Sequence, residues 1–256
     1  MHRPGPAHAH RLIFLWCHPR SMSSALERAM LERGDLTTLH EPFLYLYYVH
    51  DARKRLPHLD VDPRRPVSYE DIRSMILDSA RSRPVFVKDM CYYVADRIHD
   101  DVELIRRMTS TFLVRDPAKS IPSYYRLDPG VTLEEIGCEA QYRCFERFAE
   151  VTGRTPVVVD AADLAADPAG TLRAYCRALD LAFIPEALEW DAELPRTWRD
   201  VSGWHADLAG STGIARPAAA SRPGLDAAPH LRDYYEHHLP FYRRLRAHRL
   251  EPASRP

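Results

Sequence analysis

Short apolar runs alternate with longer segments of mixed polarity along most of this chain. The first run, Leu12 to Cys17, has no alternation of apolar and polar residues, which is typical of a strand covered on both faces of a parallel sheet. Three more short apolar runs predict strands over 85–89, 111–114 and 156–160. Between the strands the pattern predicts helices that begin near Ser23 and Pro117, a long helix over 132–152 and a last helix over 230–248.

Strands that alternate with helices indicate an α/β fold with a central parallel sheet and helices on both sides, a three-layer architecture. No repeat or composition break divides the chain, so we expect a single domain over 11–250. Residues 1–10 are polar and contain two prolines, and we expect them to be disordered. The proline-rich segment over 51–68 and the segment over 190–224 are expected to be loops.

Composition excludes several classes of protein. The chain has 35 basic and 36 acidic residues, so no overall basic field argues for a nucleic-acid partner. The arginines between Phe241 and Arg249 are expected to form a solvated helix face. The apolar run after the N-terminus is far shorter than the roughly 20 residues of a membrane span, so we expect no membrane partner. Five widely spaced cysteines indicate reduced thiols and a cytoplasmic protein, and the histidines lack the spacing of a metal site.

The first predicted strand is followed directly by an arginine and several hydroxyl residues, in the segment Pro19-Arg20-Ser21-Met22-Ser23-Ser24. The N–H groups at the start of a helix are unpaired and carry partial positive charge, so they bind anions. The arginine and the serine hydroxyls add donors that suit phosphate or sulfate oxygens. We therefore expect an anion site here, and a serine-rich helix cap is the alternative.

A second segment of this kind follows the strand over 111–114. Arg115 ends this strand, Pro117 suits the first turn of a helix, and Ser123 lies eight residues beyond Arg115. The carboxyl ends of parallel strands share one edge of a sheet, where ligands bind in open α/β folds. Two anion sites on one edge indicate a ligand with two separate phosphate-like ends.

The first segment differs from two familiar phosphate loops. It lacks Gly-Lys-Ser/Thr and has Met22 where a Walker A loop has glycine, so a kinase or ATPase is disfavoured. Ser23 stands six residues after Cys17, where a cysteine phosphatase has arginine. If position 22 needs a positive φ, its methionine is strained.

In order and spacing, the two segments resemble the sulfotransferases that use 3′-phosphoadenosine 5′-phosphosulfate (PAPS). Residues 20–24 are similar to the family's basic residue, Ser-Gly and two hydroxyl residues, and Arg115 with Ser123 is similar to its arginine and later serine. The resemblance covers about residues 11–181. It implies a P-loop-like fold, PAPS as donor, 3′-phosphoadenosine 5′-phosphate (PAP) as product and no metal. It also implies donor binding by Arg20, Ser21, Met22, Ser23, Ser24, Arg115 and Ser123.

The same resemblance suggests the catalytic residues. Arg20 and the following loop would stabilise the leaving phosphate, and Glu41, or else His40, would be the general base. The alternative for both is that they merely cap the turn into the aromatic segment that runs to Tyr48. Relatives that use a histidine carry Lys-x-His where this chain has Lys88-Asp89-Met90. Asp89 is therefore a further candidate base, and a strand-end ion pair with Lys88 is its alternative.

The expected acceptor is a small-molecule alcohol or phenol. Candidate acceptor-binding residues are Tyr45, Tyr48, Lys88 and Tyr92, and ordinary core packing is the alternative for the tyrosines. Trp198, Trp204 and His205 are candidates for covering the nucleotide or the acceptor. Two other functions stay open: a nucleotide-dependent phosphotransferase, and a nucleotide-binding protein without turnover. No motif specifies an oligomeric state.

Overall fold

The structure is a computed structural model that describes residues 11–206, 208–214 and 224–253. The predicted disordered segment 1–10 lies outside the described residues. The described strands are β1 Leu12–Cys17, β2 Thr37–His40, β3 Val85–Met90, β4 Met108–Val114 and β5 Val157–Asp160. They pair in parallel in the order β2-β3-β1-β4-β5, which confirms the predicted parallel α/β fold.

The helices surround this sheet. Their bounds are α1 Ser23–Glu32, α2 Tyr69–Ser79, α3 Ala95–Ile98, α4 Val102–Arg107, α5 Pro117–Tyr125, α6 Leu133–Ile136, α7 Cys138–Thr152, α8 Ala161–Ala166, α9 Pro168–Ala178 and α10 Pro229–Arg246. Successive residues of a strand point to opposite faces. In β4, the Phe112 ring packs on Phe145 and Phe148 of α7, whereas the Thr111 hydroxyl contacts the Tyr175 hydroxyl of α9 at 2.7 Å. Helices therefore cover both faces, as the unbroken apolar strands indicate.

Two details differ from the sequence prediction. The strand β2 was not predicted, because the run Thr37-Thr38-Leu39-His40 is short and polar and lies at a sheet edge. The helix expected over 132–152 is two helices, separated by Gly137 at φ 79°. At that point a Cβ would lie 3.2 Å from atoms of His18 and Tyr92, so the glycine also permits close packing.

The order of the strands places a cleft beside β1. The chain passes from β1 to β2 and β3 on one side, and then to β4 on the other side. The segments after β1 and β4 consequently diverge, which creates the kind of crevice where ligands bind in such folds. Gln141 of α7 holds the two strand ends together, since its side-chain amide donates to the carbonyls of Trp16 at 3.0 Å and Leu113 at 2.9 Å.

Candidate active site

A cavity of about 460 Å³ opens at this edge of the sheet. Many of the residues predicted from sequence line it, namely Arg20, Met22, Ser23, Ser24, Glu41, Lys88, Tyr92, Arg115 and Ser123. Five others lie behind this lining: Ser21, His40, Tyr45, Tyr48 and Asp89. The segments after β1, β2, β3 and β4 thus meet around a single space, although they are far apart in the sequence.

Strained backbone concentrates in this lining. Arg20, Met22 and Glu41 have φ values of 61°, 72° and 43°, in the left-handed region that favours glycine. Position 22 therefore has a positive φ, and its methionine is in the strained conformation that the sequence analysis described for this case. Such conformations cost about 1–3 kcal/mol each and persist where the surrounding structure enforces them, often at functional sites.

The start of α1 is open toward an anion. Met22 precedes the helix and supplies no side-chain hydrogen bond to its first N–H groups, and the first turn contains no acidic residue. The buried Ser21 hydroxyl has no hydrogen-bond partner among the described residues. Helix N–H groups that no side chain caps fit a ligand with negative oxygens.

The two predicted anion segments contact each other. The Arg20 Nε donates to Ser123 Oγ at 3.0 Å, and the Arg115 Nη1 donates to the carbonyl of Arg20 at 2.6 Å. His18 adds a third link, because its Nε2 accepts the backbone N–H of Arg115 at 3.0 Å. Burial and the nearby Arg115 charge lower the pKa of His18 to about 3, so its ring is neutral and serves as this acceptor.

A second cavity of about 1100 Å³ lies next to the first, and the two share Met22, Arg115 and Ser123. Its lining also contains the basic side chains of Lys119, Arg243, Arg246 and Arg249. Three of these belong to the arginine-rich stretch near the end of the chain, for which the sequence predicted a solvated face. Arg243 and Arg244 are exposed, as predicted, and Arg246 and Arg249 are half-buried beside the space that adjoins Arg115.

The residue after β2, Glu41, forms the first of two polar clusters at the cavity. Its carboxylate contacts the Lys88 ammonium and accepts the Tyr93 hydroxyl at 3.1 Å, and we call these three residues the Glu41 cluster. The register explains the contact, because His40 pairs with Lys88 and the Glu41 N–H donates to the Lys88 carbonyl at 2.8 Å. Burial alone would raise the pKa of Glu41, but the Lys88 charge holds it below its ordinary value.

Asp89 has a different position from its neighbour Lys88. Its carboxyl oxygens accept the backbone N–H groups of Phe43 at 2.8 Å and Met90 at 2.9 Å. The alternative ion pair with Lys88 is not formed, since that lysine contacts Glu41 instead. Burial raises the pKa of Asp89 well above its ordinary value. Asp89 therefore fastens the segment after β2 to the end of β3.

The second polar cluster, which we call the His40 chain, contains Ser24, His205, His40 and Glu27. The Ser24 Oγ lies 3.0 Å from His205 Nδ1, and His205 Nε2 lies 3.2 Å from His40 Nε2. His40 Nδ1 then lies 2.8 Å from Glu27 Oε2. Glu27 is 1% exposed and each histidine 6%, so solvent is largely excluded from this part of the chain.

Most of the predicted acceptor-binding tyrosines are held by polar partners. The Tyr48 hydroxyl lies 2.9 Å from that of Tyr92 and donates to Glu135 Oε1 at 2.9 Å, so Tyr48 supports Tyr92 from behind. The Tyr45 hydroxyl donates to Asp200 Oδ2 at 2.8 Å, which ties it to the segment that carries His205. Of the predicted tyrosines only Tyr92 faces the cavity.

Several lining residues were not predicted as site residues. They are mostly apolar or aromatic: Leu44, Leu56, Met90, Tyr124, Val201 and Leu208. Glu27 was also missed, although a signal existed, because this glutamate lies between Leu26 and Met30 on the buried face of α1. The Trp204 carbonyl accepts Arg20 Nη1 at 2.8 Å, which places the segment over 196–205 against the anion site.

None of the helices within 11–206, 208–214 and 224–253 is long and apolar enough to cross a membrane. Over the same ranges, no group of three or more histidine, cysteine, aspartate or glutamate side chains is placed to hold a metal ion. All five cysteines are unpaired and buried.

Comparisons with known proteins identify the family and the fold. The family described as "Sulfotransferase domain" matches residues 11–249, so the chain belongs to the sulfotransferase family. The fold is that of the sulfotransferase from Alicyclobacillus acidocaldarius, with a TM-score of 0.53 and 16% identity over 95% of this chain and 98% of that one. The sulfotransferase domain from the curacin biosynthetic pathway is similar as well, with a TM-score of 0.50 and 14% identity over 89% and 97% of the two chains.

Two curated relatives come from Arabidopsis thaliana. They are the branched-chain-amino-acid aminotransferase-like proteins 2 and 1, which are 25% and 27% identical over 95% of this chain. The chain spans only 43% of each of these relatives. Their names therefore describe proteins more than twice as long, and we assign no activity from them.

Proposed function

We propose that this protein transfers a sulfuryl group from PAPS to the hydroxyl of a neutral small molecule. The observation that carries the proposal is the shared cavity, which brings the open helix start, Arg20, Arg115 and Ser123 together with the ionised Glu41. One end of the cavity suits a donor with two anionic groups, and the other presents a carboxylate that can accept a proton. When bound, PAPS supplies the sulfuryl group, and PAP is the other product.

The residues of the anion segments would hold the donor. The first N–H groups of α1 with Arg20, Ser23 and Ser24 suit the phosphosulfate, and their donors are in place before reaction, which is the arrangement that best stabilises developing charge. Arg115 and Ser123 would bind the 3′-phosphate. The second cavity shares these two residues, and Lys119 and Arg243 add basic side chains to its lining. Arg246 and Arg249 are paired with Asp160 and Asp163.

Glu41 is proposed as the general base. Its carboxylate lines the cavity, and the adjacent Lys88 keeps it ionised at neutral pH, so it can accept the proton of the acceptor hydroxyl. His40 is the weaker candidate because its ring lies behind the cavity lining, between His205 and Glu27. Asp89 is weaker still, since it also lies behind the lining and fastens two backbone N–H groups.

The acceptor end of the cavity is lined by Leu44, Met90, Tyr92, Tyr93 and Tyr124. Glu41 and Lys88, which line the cavity beside Tyr93, are paired with each other, so we propose an uncharged phenol or apolar alcohol as acceptor. The five unpaired thiols support a reaction in the cytoplasm.

Transfer of a radioactive sulfuryl group from PAPS tests the proposal. A panel of neutral phenols and aliphatic alcohols is incubated with wild type, with Arg115→Ala and with Arg106→Ala, an exposed arginine far from the cavity that serves as control. We expect labelled products with wild type and the control, and a loss of at least about tenfold with Arg115→Ala at limiting PAPS. Transfer of labelled phosphate from ATP, without transfer of the sulfuryl group from PAPS, would favour a phosphotransferase.

A further inference from the structure

The His40 chain begins and ends on the same helix. Ser24 and Glu27 are three residues apart on α1 and therefore share a face. From Ser24 the contacts pass through His205, which follows α9 by many residues, and through His40 at the end of β2, before they return to Glu27. A buried glutamate is thereby connected to a hydroxyl at the start of the helix that lines the cavity.

Each link of this chain needs one donor and one acceptor, so the whole chain has two consistent directions. In the first, a protonated Glu27 donates to His40 Nδ1, His40 Nε2–H donates to His205, and His205 Nδ1–H donates to Ser24 Oγ. The hydroxyl proton of Ser24 is then available to an anion in the cavity. In the second, an ionised Glu27 accepts from His40, every bond reverses, and Ser24 donates to His205 instead.

We propose that Glu27, His40 and His205 are positioning residues that set whether Ser24 donates a hydrogen bond into the anion site. The inference rests on the proposed function in one respect, that the anion bound at Ser24 belongs to PAPS or PAP. The structure assigns this control to Glu27, because the presence or absence of its proton decides the direction of the hydrogen bonds in the His40 chain.

The charges around Glu27 are consistent with a switch near neutral pH. Burial raises the pKa of Glu27 to about 8, against the opposing effects of Lys88 and the Trp198 N–H, which donates to Glu27 Oε1 at 3.1 Å. Burial lowers the pKa values of His40 and His205 well below the ordinary value, so both rings stay neutral.

Cys17, Lys88 and Glu41, which lie near the His40 chain, titrate outside the range from pH 7 to 9. Burial raises the pKa of Cys17 far above this range, and the charge of Glu41 raises that of Lys88 against the effect of burial. The pKa of Glu41 is below its ordinary value. The remaining charged groups that face the chain are Arg20, Arg65 and Asp200, the last two of which are paired.

The test is calorimetric titration with PAP between pH 7 and 9, a range in which its phosphates do not titrate because their second pKa is about 6. We expect the affinity of wild type to fall roughly tenfold across about pH 8, the effect of one hydrogen bond to a charged group. The Gln side chain of Glu27→Gln donates to His40 at every pH, so this variant should keep the pH 7 affinity throughout. Glu32→Gln, on the same helix, is the control and should behave as wild type.

Nitrogen-15 NMR of the two histidine rings adds a readout without any ligand. The protonated nitrogen of His205 should change from Nδ1 to Nε2 as the pH passes 8 in wild type, and should not change in Glu27→Gln. Affinity for PAP that is constant from pH 7 to 9, or that declines equally in Glu27→Gln, would overturn the control of Ser24 by the His40 chain and leave the proposed function standing. Absence of PAP binding to wild type at pH 7 would instead overturn the proposed function, and with it the role of Ser24.

Discussion

His40 and Glu41 are consecutive residues at the end of β2, yet they belong to polar clusters with opposite electrostatic character. Glu41 contacts the Lys88 ammonium, and its pKa is below the ordinary value. Glu27, the carboxyl that contacts His40, has a neutral imidazole and an indole N–H as its hydrogen-bond partners, and its pKa rises to about 8. Both carboxyls are buried, so a cation in direct contact, rather than burial, decides which one is ionised.

The largest expected effect concerns the ionised cluster. Glu41→Gln removes the group that accepts the acceptor's proton, so the rate of sulfuryl transfer should fall by about 10²- to 10⁴-fold. Affinity for PAP should not change, because the Glu41 carboxylate contacts Lys88 and Tyr93 and carries no donor for an anion. Steady-state kinetics together with calorimetry check both parts, and a fully active Glu41→Gln would show that the base is elsewhere.

The second prediction removes the cation that separates the two clusters. In Lys88→Met, burial is no longer opposed, so the pKa of Glu41 should rise and the carboxyl should be protonated at neutral pH. Activity at pH 7 should then fall about tenfold or more and recover as the pH rises, so that the acid limb of the pH–rate profile moves upward. Lys88→Arg keeps the charge and should retain the wild-type limb. If the acid limb of the pH–rate profile does not move in Lys88→Met, Glu41 is not the group that accepts the proton.

A third, smaller effect is a change of stability with pH. The folded protein keeps a proton on Glu27 up to about pH 8, whereas the unfolded chain loses it near 4.5. Stability from this group is therefore complete below pH 4.5 and is lost as the pH rises toward 8. Relative to wild type, Glu27→Gln should gain on the order of 1 kcal/mol of unfolding free energy per pH unit in this range. Urea unfolding at several pH values checks this gain, and a difference independent of pH would contradict it.

The smallest expected effect comes from the indole. The Trp198 N–H donates to Glu27 Oε1 and thereby lowers the pKa of this carboxyl. Trp198→Phe removes this N–H. The midpoint of the pH dependence of PAP affinity should therefore move upward, by less than about one unit. A downward move would mean that the indole does not stabilise the ionised carboxylate.

Sequence reasoning reached the fold and the anion segments because both depend on local patterns. Unbroken apolar strands and an arginine at a strand end are visible within ten residues. The strand β2 was not predicted because Thr37-Thr38-Leu39-His40 is short and polar. The helix break at Gly137 was not predicted because the residues on both sides of it continue one helical pattern.

The His40 chain could not be predicted in the same way. His205 lies 165 residues from His40, and their contact depends on how the segment over 196–205 returns across the sheet edge. The partner of Lys88 was also undetermined, because both Glu41 and Asp89 are near it and the register of β2 with β3 decides between them.

Calorimetric titration at pH 7 with PAP, beside adenosine 5′-phosphate and metal-free ATP, tests the central claim most directly. The account predicts tight binding of PAP that requires the 3′-phosphate and is lost in Arg115→Ala but not in Arg106→Ala. Equal affinity for PAP and adenosine 5′-phosphate would contradict it, because the proposed 3′-phosphate site at Arg115 and Ser123 would then contribute nothing to binding.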